Sequence, residues 1–266
     1  MIGFASLGSG SRGNGTLVRI GAKLIMVDCG FPLKQTEYRL NRAGVRPGDL
    51  DAILVTHEHS DHGAGVAALA YKYAIPVYGS FGTLRALAPD VAGTSIDTHR
   101  PFDLLGISVI PVIVPHDTRE PVQYVLEHAG IRIGVLSDLG HVTPHVVESY
   151  SNLDGLLMES NHDVGMLANG RYPPHLKRRV GGNLGHLNND QARDFLQTIG
   201  HAGLSVVIGH VSEKNNHPDR LKSVFEPLTD QVGTLRYATQ ADGFDWVEID
   251  PVRRACDRVN FAALQG

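Results

Sequence analysis

Apolar runs of four to eight residues recur along this chain, each ending in polar or glycine-rich sequence, and such runs read as buried strands. The N-terminal run leads into Gly8-Ser9-Gly10-Ser11-Arg12-Gly13-Asn14-Gly15, and residues 16–20 and 23–28 give two further strands around the Gly21-Ala22 turn. Further runs lie at 52–55, 75–78, 107–114, 122–127, 131–136, 156–159 and 204–209. Pro111 puts the 107–114 strand at a sheet edge or a bend, because proline donates nothing to a ladder. Between these runs, helical composition occupies 32–40, the stretch after Gly63, 81–87, 172–180 and 185–199, the last with Asn188 or Asn189 as N-cap. The final runs, over 235–249, read as a hairpin turning at Asp242-Gly243. Strands alternating with helices predict an α/β protein with helices on the outside.

The densest chemistry follows the run Ala52-Ile53-Leu54-Val55, in Thr56-His57-Glu58-His59-Ser60-Asp61-His62-Gly63. Histidines two apart in an extended segment can point to one side. Asp61 and His62, adjacent at a helix start, project elsewhere. One turn can therefore serve two metal ions, with imidazoles on the first and a carboxylate plus imidazole on the second.

Composition narrows the setting. At 266 residues, with 42 % hydrophobic and 20 % charged content, the chain is read as one domain over 1–266. No apolar stretch reaches the roughly 18 residues that span a bilayer, and the N-terminus lacks the pattern of a signal peptide. Two cysteines, Cys29 and Cys256, give no disulfide framework and fit a reducing cytoplasm, with Cys29 a small buried hydrophobe. A net charge of −4 does not mark a nucleic-acid binder as a whole, so a polyanionic substrate would need a local patch and the metals themselves. The dense basic run Lys177-Arg178-Arg179 is either such a patch or a solvated helix face.

By letter, Gly8 to Gly15 contains the dinucleotide fingerprint, but a strand follows where that motif needs a helix. The loop is then a flexible turn or a backbone nest able to cradle a phosphate, which makes Ser11 and Asn14 candidate substrate contacts.

The H-x-H-x-D-H pattern resembles the signature of the metallo-β-lactamase superfamily. That resemblance implies a four-layer αβ/βα sandwich with two mixed β-sheets and a dinuclear metal site at their edge. It carries over His57, His59 and His116 as ligands of one ion, Asp61, His62 and His210 as ligands of the other, and Asp138 as the bridge. All these donors are nitrogen or oxygen, a set that suits Zn2+ first and also takes Mn2+ or Fe2+. Asp28, beyond a strand near the site, suits orienting a ligand imidazole or capping a turn.

His186 and His210, separated by one helix and one strand, resemble the phosphodiesterase branch that includes ribonuclease Z and PhnP. The wording around Glu159-Ser160-Asn161-His162-Asp163, His186-Leu187-Asn188-Asn189 and Ser212-Glu213-Lys214-Asn215-Asn216 is most similar to the bacterial YycJ/WalJ group. That group implies a 5′-to-3′ DNA exonuclease of the cytoplasm, tied to DNA repair or a cell-wall regulon. In this reading Asp61 also orients the attacking water and His186 protonates the departing oxygen. His162 has no ligand position in that pattern and is a substrate contact, stands behind the ligands or is a surface histidine. The long insertion and extended arm of larger nucleic-acid-processing relatives are missing. A small phosphodiester such as a cyclic nucleotide therefore stands beside DNA as substrate, and a lactonase- or thioesterase-type carbon-ester hydrolase is the remaining alternative. Oligomeric state is open.

Overall fold

A computed structural model describes residues 1–87 and 92–250. Fourteen strands among these residues form two seven-stranded sheets. The first holds β1 (Ile2–Gly8), β2 (Gly15–Ile20), β3 (Lys23–Val27), β4 (Ala52–Val55), β5 (Val77–Gly79) and β6 (Gly93–Ser95). The second holds β7 (Phe102–Leu104), β8 (Ile107–Ile113), β9 (Val122–His128), β10 (Ile131–Leu136), β11 (Gly155–Glu159), β12 (Ser205–Gly209) and β13 (Thr234–Tyr237). The last strand, β14 (Phe244–Glu248), returns to the first sheet and pairs antiparallel with β1. Both sheets are mixed: β1, β2 and β3 pair antiparallel before β3 to β6 run parallel, and β7 to β10 pair antiparallel before β10 to β13 run parallel.

Three apolar clusters separate four layers. Between the sheets lie Phe4, Val18, Ile25 and Leu54 from one and Tyr124, Leu126, Ile133 and Val207 from the other. Outside the first sheet, Met26, Ile53 and Val55 pack with Leu40 of α1 (Leu33–Arg42) and with Val66 and Leu69, which lie on the helix before β5. Outside the second, Leu136, Leu156, Val206 and Ile208 meet Val146, Phe195, Leu196, Leu221 and Phe225 of three covering helices. β-Branched and aliphatic residues fill both faces of the central strands, which is why those strands read as unbroken apolar runs rather than alternating ones. This is the four-layer αβ/βα sandwich expected from the motif.

The apolar stretch after Gly63 forms α3 (Val66–Tyr73), set off from the short α2 (Ser60–Gly63) of the metal motif where the Gly65 N–H donates to Cys29 O at 2.7 Å and turns the chain. Four short helices, α4 (Phe81–Leu87), α5 (Pro144–Ser149), α6 (Val164–Asn169) and α7 (Pro174–Val180), precede α8 (Asn189–Ile199), and α9 (Pro218–Phe225) is last. Asn188 caps α8, its side chain accepting from the Gln191 N–H at 2.9 Å while Gln191 Oε1 accepts from the Asn188 N–H. β8 is not an edge strand, since β7 pairs with it over Ile107–Val109; Pro111 lies past the end of that short neighbour, where the missing donor is not needed. The hairpin expected over 235–249 is overturned. Its turn exists, with Thr239 bridged to Gly243, but β13 adds to the second sheet and β14 to the first. Cys256 falls outside the described residues.

β3 and β4 run in one sense in the first sheet, β8, β10, β11 and β12 in one sense in the second, and the residues that follow their C-terminal ends meet along one rim.

Candidate metal centre

β4 is buried at every position and delivers Thr56 and His57 to that rim. His57 Nε2 and His59 Nδ1 stand 3.2 Å apart, and His116 Nε2, from the exit of β8, is also 3.2 Å from His59 Nδ1. Ring nitrogens brought this close need a shared cation or proton between them. The outer nitrogens are already occupied: His57 Nδ1 is 2.9 Å from Thr56 Oγ1, and His116 Nδ1 donates to Gly185 O at 3.0 Å. A carbonyl only accepts, so neutral His116 carries its proton on Nδ1 and presents a lone pair at Nε2. Burial, with neighbouring imidazoles adding to it, pushes His57 well below the usual histidine range, and burial lowers His59 and His116 too. All three are thus neutral imidazoles of the kind metals bind.

A second group, Asp61, His62 and His210, has its ligand atoms within 4.8 Å of one another. Asp138 lies between the groups: Oδ2 is 2.7 Å from His62 Nε2, and Oδ1 is 3.4 Å from His210 Nδ1 and 3.9 Å from His116 Nε2. Behind this group, Asp28 Oδ2 accepts from His62 Nδ1 at 2.7 Å and from the Thr56 hydroxyl at 2.8 Å, while Oδ1 accepts from the Thr56 N–H. Asp28 therefore fixes the His62 ring and leaves its Nε2 facing the cluster, the arrangement a metal-binding imidazole would need. Gly30 allows this closeness, since a Cβ there would fall 1.8 Å from Asp61 O.

Three of these residues have left-handed backbone: Asp28 at φ 62°, Asp138 at φ 53° and His210 at φ 48°. Each directly ends or follows a strand at the rim, and such conformations persist at sites where the surroundings over-determine them.

The residues fit divalent cations on two counts. Buried His210 Nε2 makes no hydrogen bond and lies 3.5 Å from Asp61 Oδ2, an orphaned ring nitrogen beside a carboxylate. The pocket also holds an excess of carboxylates. Against the cost of burial, Asp138, Asp28 and Asp61 hold the His62 proton far above the usual range, and Asp138 with its neighbours holds His210 up to about 9. Those protons stand where bound cations would. The donors are all nitrogen and oxygen, which suits zinc, manganese or iron.

Glu159, at the end of β11, is fully buried and gave no chemical signal of its own in the sequence beyond closing an apolar run. Its Oε1 accepts from the Leu139 and Leu187 N–H groups at 2.9 and 3.0 Å, and its Oε2 is 3.1 Å from His186 Nδ1 and 3.2 Å from His210 Nδ1. His186 Nδ1 is also 3.2 Å from Asp138 Oδ1. Burial opposes the charge on His186, but Glu159 and Asp138 outweigh it and hold the imidazolium up to about 10. Glu159 in turn is held down at about 2, against burial, chiefly by His186. His186 is therefore held as an imidazolium at the side of the cluster, and Glu159 keeps it charged.

The glycine-rich loop does not make a phosphate nest. The Gly10 N–H donates to Asn14 Oδ1, the Arg12 N–H to Gln240 Oε1, the Gly13 N–H to Gly10 O and the Asn14 N–H to Asp61 O, so these amides turn inward. Asn14 is buried at the site: its amide nitrogen donates to Gly10 O and Asp61 O and lies 2.9 Å from His62 Nε2. Ser11 is exposed at the loop tip. His162 is buried with Nδ1 unpartnered, belongs to neither ligand group, and carries the bridge from β11 to Asn188. From the basic run, Arg179 pairs with Asp117 and reaches within 3.3 Å of His59 Nε2, whereas Lys177 donates to Ala168 O. Cys29 is buried and its thiol is pushed up to about 11 by burial.

The sequence profile of the β-lactamase superfamily domain matches residues 23–210. An exodeoxyribonuclease WalJ of Streptococcus pneumoniae is 35% identical over 222 residues, covering 80% of this chain and 82% of its own. An exodeoxyribonuclease YycJ of Bacillus anthracis is 32% identical over 237 residues, covering 86% and 90%. Among solved structures, the metallo-β-lactamase fold protein YhfI of Bacillus subtilis aligns with a TM-score of 0.72 over 93% of this chain and 100% of its own, at 17% identity.

Proposed function

We propose that this chain, which belongs to the β-lactamase superfamily, is a dinuclear metal-dependent phosphodiesterase that degrades DNA as an exonuclease. It is a metal-dependent hydrolase of the phosphodiesterase and nuclease kind; the ion count, the DNA substrate and the residue roles are our reading. One observation carries that reading: two ligand groups, each drawn from both sheets, close on one buried carboxylate, with His186 held as a charged acid beside them. His57, His59 and His116 would hold one ion and Asp61, His62 and His210 the other, with Asp138 between. Zinc is the ion this donor set suits first. A divalent pair at such a site supplies a water acidic enough to ionise near neutrality and neutralises phosphoryl charge.

The chain's own groups supply the rest. Asp61, less enclosed than Asp138, is placed to accept a hydrogen bond from the attacking water and so to aim it. Asp138 fixes His62 and, through His186, the proton that will be needed. His186 carries that proton on the open side of the cluster and would pass it to the oxygen that leaves the phosphorus, while Glu159 holds the ring through Nδ1 and so leaves Nε2 as the donor. Ser11, exposed on the loop beside Asn14, is the contact on that bank open to a strand. The named homologues, both exodeoxyribonucleases, are what favours DNA over a small cyclic phosphodiester or a carbon ester.

The test is incubation of metal-loaded protein with end-labelled DNA bearing either a 5′-phosphate or a 5′-hydroxyl. Progressive release of mononucleotides from one end is expected. Release of nothing, with hydrolysis of a cyclic nucleotide or a lactone instead, would overturn the substrate assignment.

A further inference from the structure

The loop between α7 and α8 crosses the mouth of the cluster. Arg179, at its start, spends Nε and Nη2 on Asp117, and Nη2 also lies 3.3 Å from His59 Nε2. Its Nη1 has no partner among the described residues, and the side chain is half exposed. Five residues on, Leu184 is 53% exposed, although it sits two positions before His186.

This loop is fixed rather than slack. The Gly185 N–H donates to Gly182 O at 2.9 Å and the His186 N–H to Val180 O at 2.9 Å. Gly185 O accepts from His116 Nδ1, and Asn183 O from His141 Nδ1, each at 3.0 Å. Gly185 lies so close to the end of α7 that a Cβ on it would come within 2.2 Å of Arg179 O. A pinned loop thus carries an uncovered apolar side chain five residues after the free guanidinium edge and two before the proposed acid. A nucleotide has the matching chemistry, an anionic phosphate beside a flat apolar face.

We propose that this loop seats one nucleotide next to the bond being cut, with Arg179 Nη1 on its phosphate and Leu184 against the face of its base. The inference rests on the phosphodiesterase reading and adds its substrate preference: Leu184 is a positioning residue that favours nucleic acid over phosphodiesters without a base. Because every base offers an apolar face, the contact tolerates any sequence.

The experiment uses the metal-loaded full chain and a single-stranded DNA, alongside versions lacking the base on one or the other side of the cleaved bond. Covering a leucine side chain is worth roughly tenfold, so wild type should lose up to about that factor in kcat/KM when the base on one particular side is missing. Leu184→Ser should lose most of that discrimination, and Leu184→Met should restore it; a purely structural role for Leu184 would not move this ratio. Equal discrimination by wild type and Leu184→Ser, or a wild type that cuts all three DNAs alike, overturns the proposal while leaving the nuclease reading standing. A wild type that cuts none of them overturns the nuclease reading, and the proposal with it.

Discussion

Asp28 Oδ2 lies 2.7 Å from His62 Nδ1, both side chains are buried, and the contact leaves Nε2 as the face His62 turns to the cluster. Because the same carboxylate also accepts from Thr56, it ties the exits of β3 and β4 to one ligand. Asp28→Asn keeps a residue that tolerates the left-handed backbone at φ 62°. It loses the charge that makes His62 a basic ligand. Metal affinity should fall by about 10- to 100-fold, the usual range for a partner behind a metal-bound histidine, and the melting temperature of the metal-free protein should fall too, because the buried His62 imidazolium loses one of its charged partners. Isothermal titration with zinc would read this directly, and unchanged affinity would contradict it.

Asp138→Asn removes the buried charge shared by His62, His186 and His210. Asparagine also accepts the backbone at φ 53°. The variant should fold, as circular dichroism would show, yet fail to hydrolyse either DNA or bis(p-nitrophenyl) phosphate. Turnover at the wild-type rate would rule out the central position given to this carboxylate.

His186→Ala should lower the rate on DNA by about 10²- to 10⁴-fold, the range for a general acid. The loss should be smaller on bis(p-nitrophenyl) phosphate, whose acidic leaving group needs less help from a proton. Equal losses on both substrates would place His186 in binding rather than proton transfer.

The ion pair between Glu159 and His186 sets a pH window for the metal-free fold. Glu159 is held down to about 2 from an ordinary 4.5, so its contribution is complete above 4.5 and lost as pH falls toward 2. His186 is held up to about 10 from 6.5, so its contribution is complete below 6.5 and lost as pH rises toward 10. Glu159→Gln should therefore cost most melting temperature between pH 4.5 and 6.5, with the gap to wild type narrowing on either side. Thermal unfolding of both proteins across pH would check it; a gap of constant size would mean that the ion pair with His186 is not the source of the loss.

How much of this was legible in the chain depended on whether the information was local. The turn after β4 announces itself because its donors are neighbours in sequence and a buried strand precedes them. The positions of His116, Asp138 and His210 needed the family likeness, since a single polar residue after a strand has many other uses. Glu159 was hidden for the opposite reason: it is the last residue of an apolar run, and nothing local says that two backbone N–H groups and two imidazoles will meet it. The glycine loop misled because glycines mark a turn without saying which way its amides point. Gln240, more than two hundred residues on, takes one of them. The C-terminal hairpin failed similarly. Asp242-Gly243 is a true turn, but the partners of β13 and β14 are β12 and β1, strands chosen by the two sheets and not by the turn.

The account depends most on one arrangement, six ligands in two groups around Asp138. Its most direct test is the metal content, by mass spectrometry, of wild type and His210→Ala after zinc loading and removal of free ion. Two equivalents in wild type and one in the variant are expected, with hydrolysis of DNA lost alongside the second. A wild type that retains one ion or none, or a variant that retains as many as wild type, would contradict it.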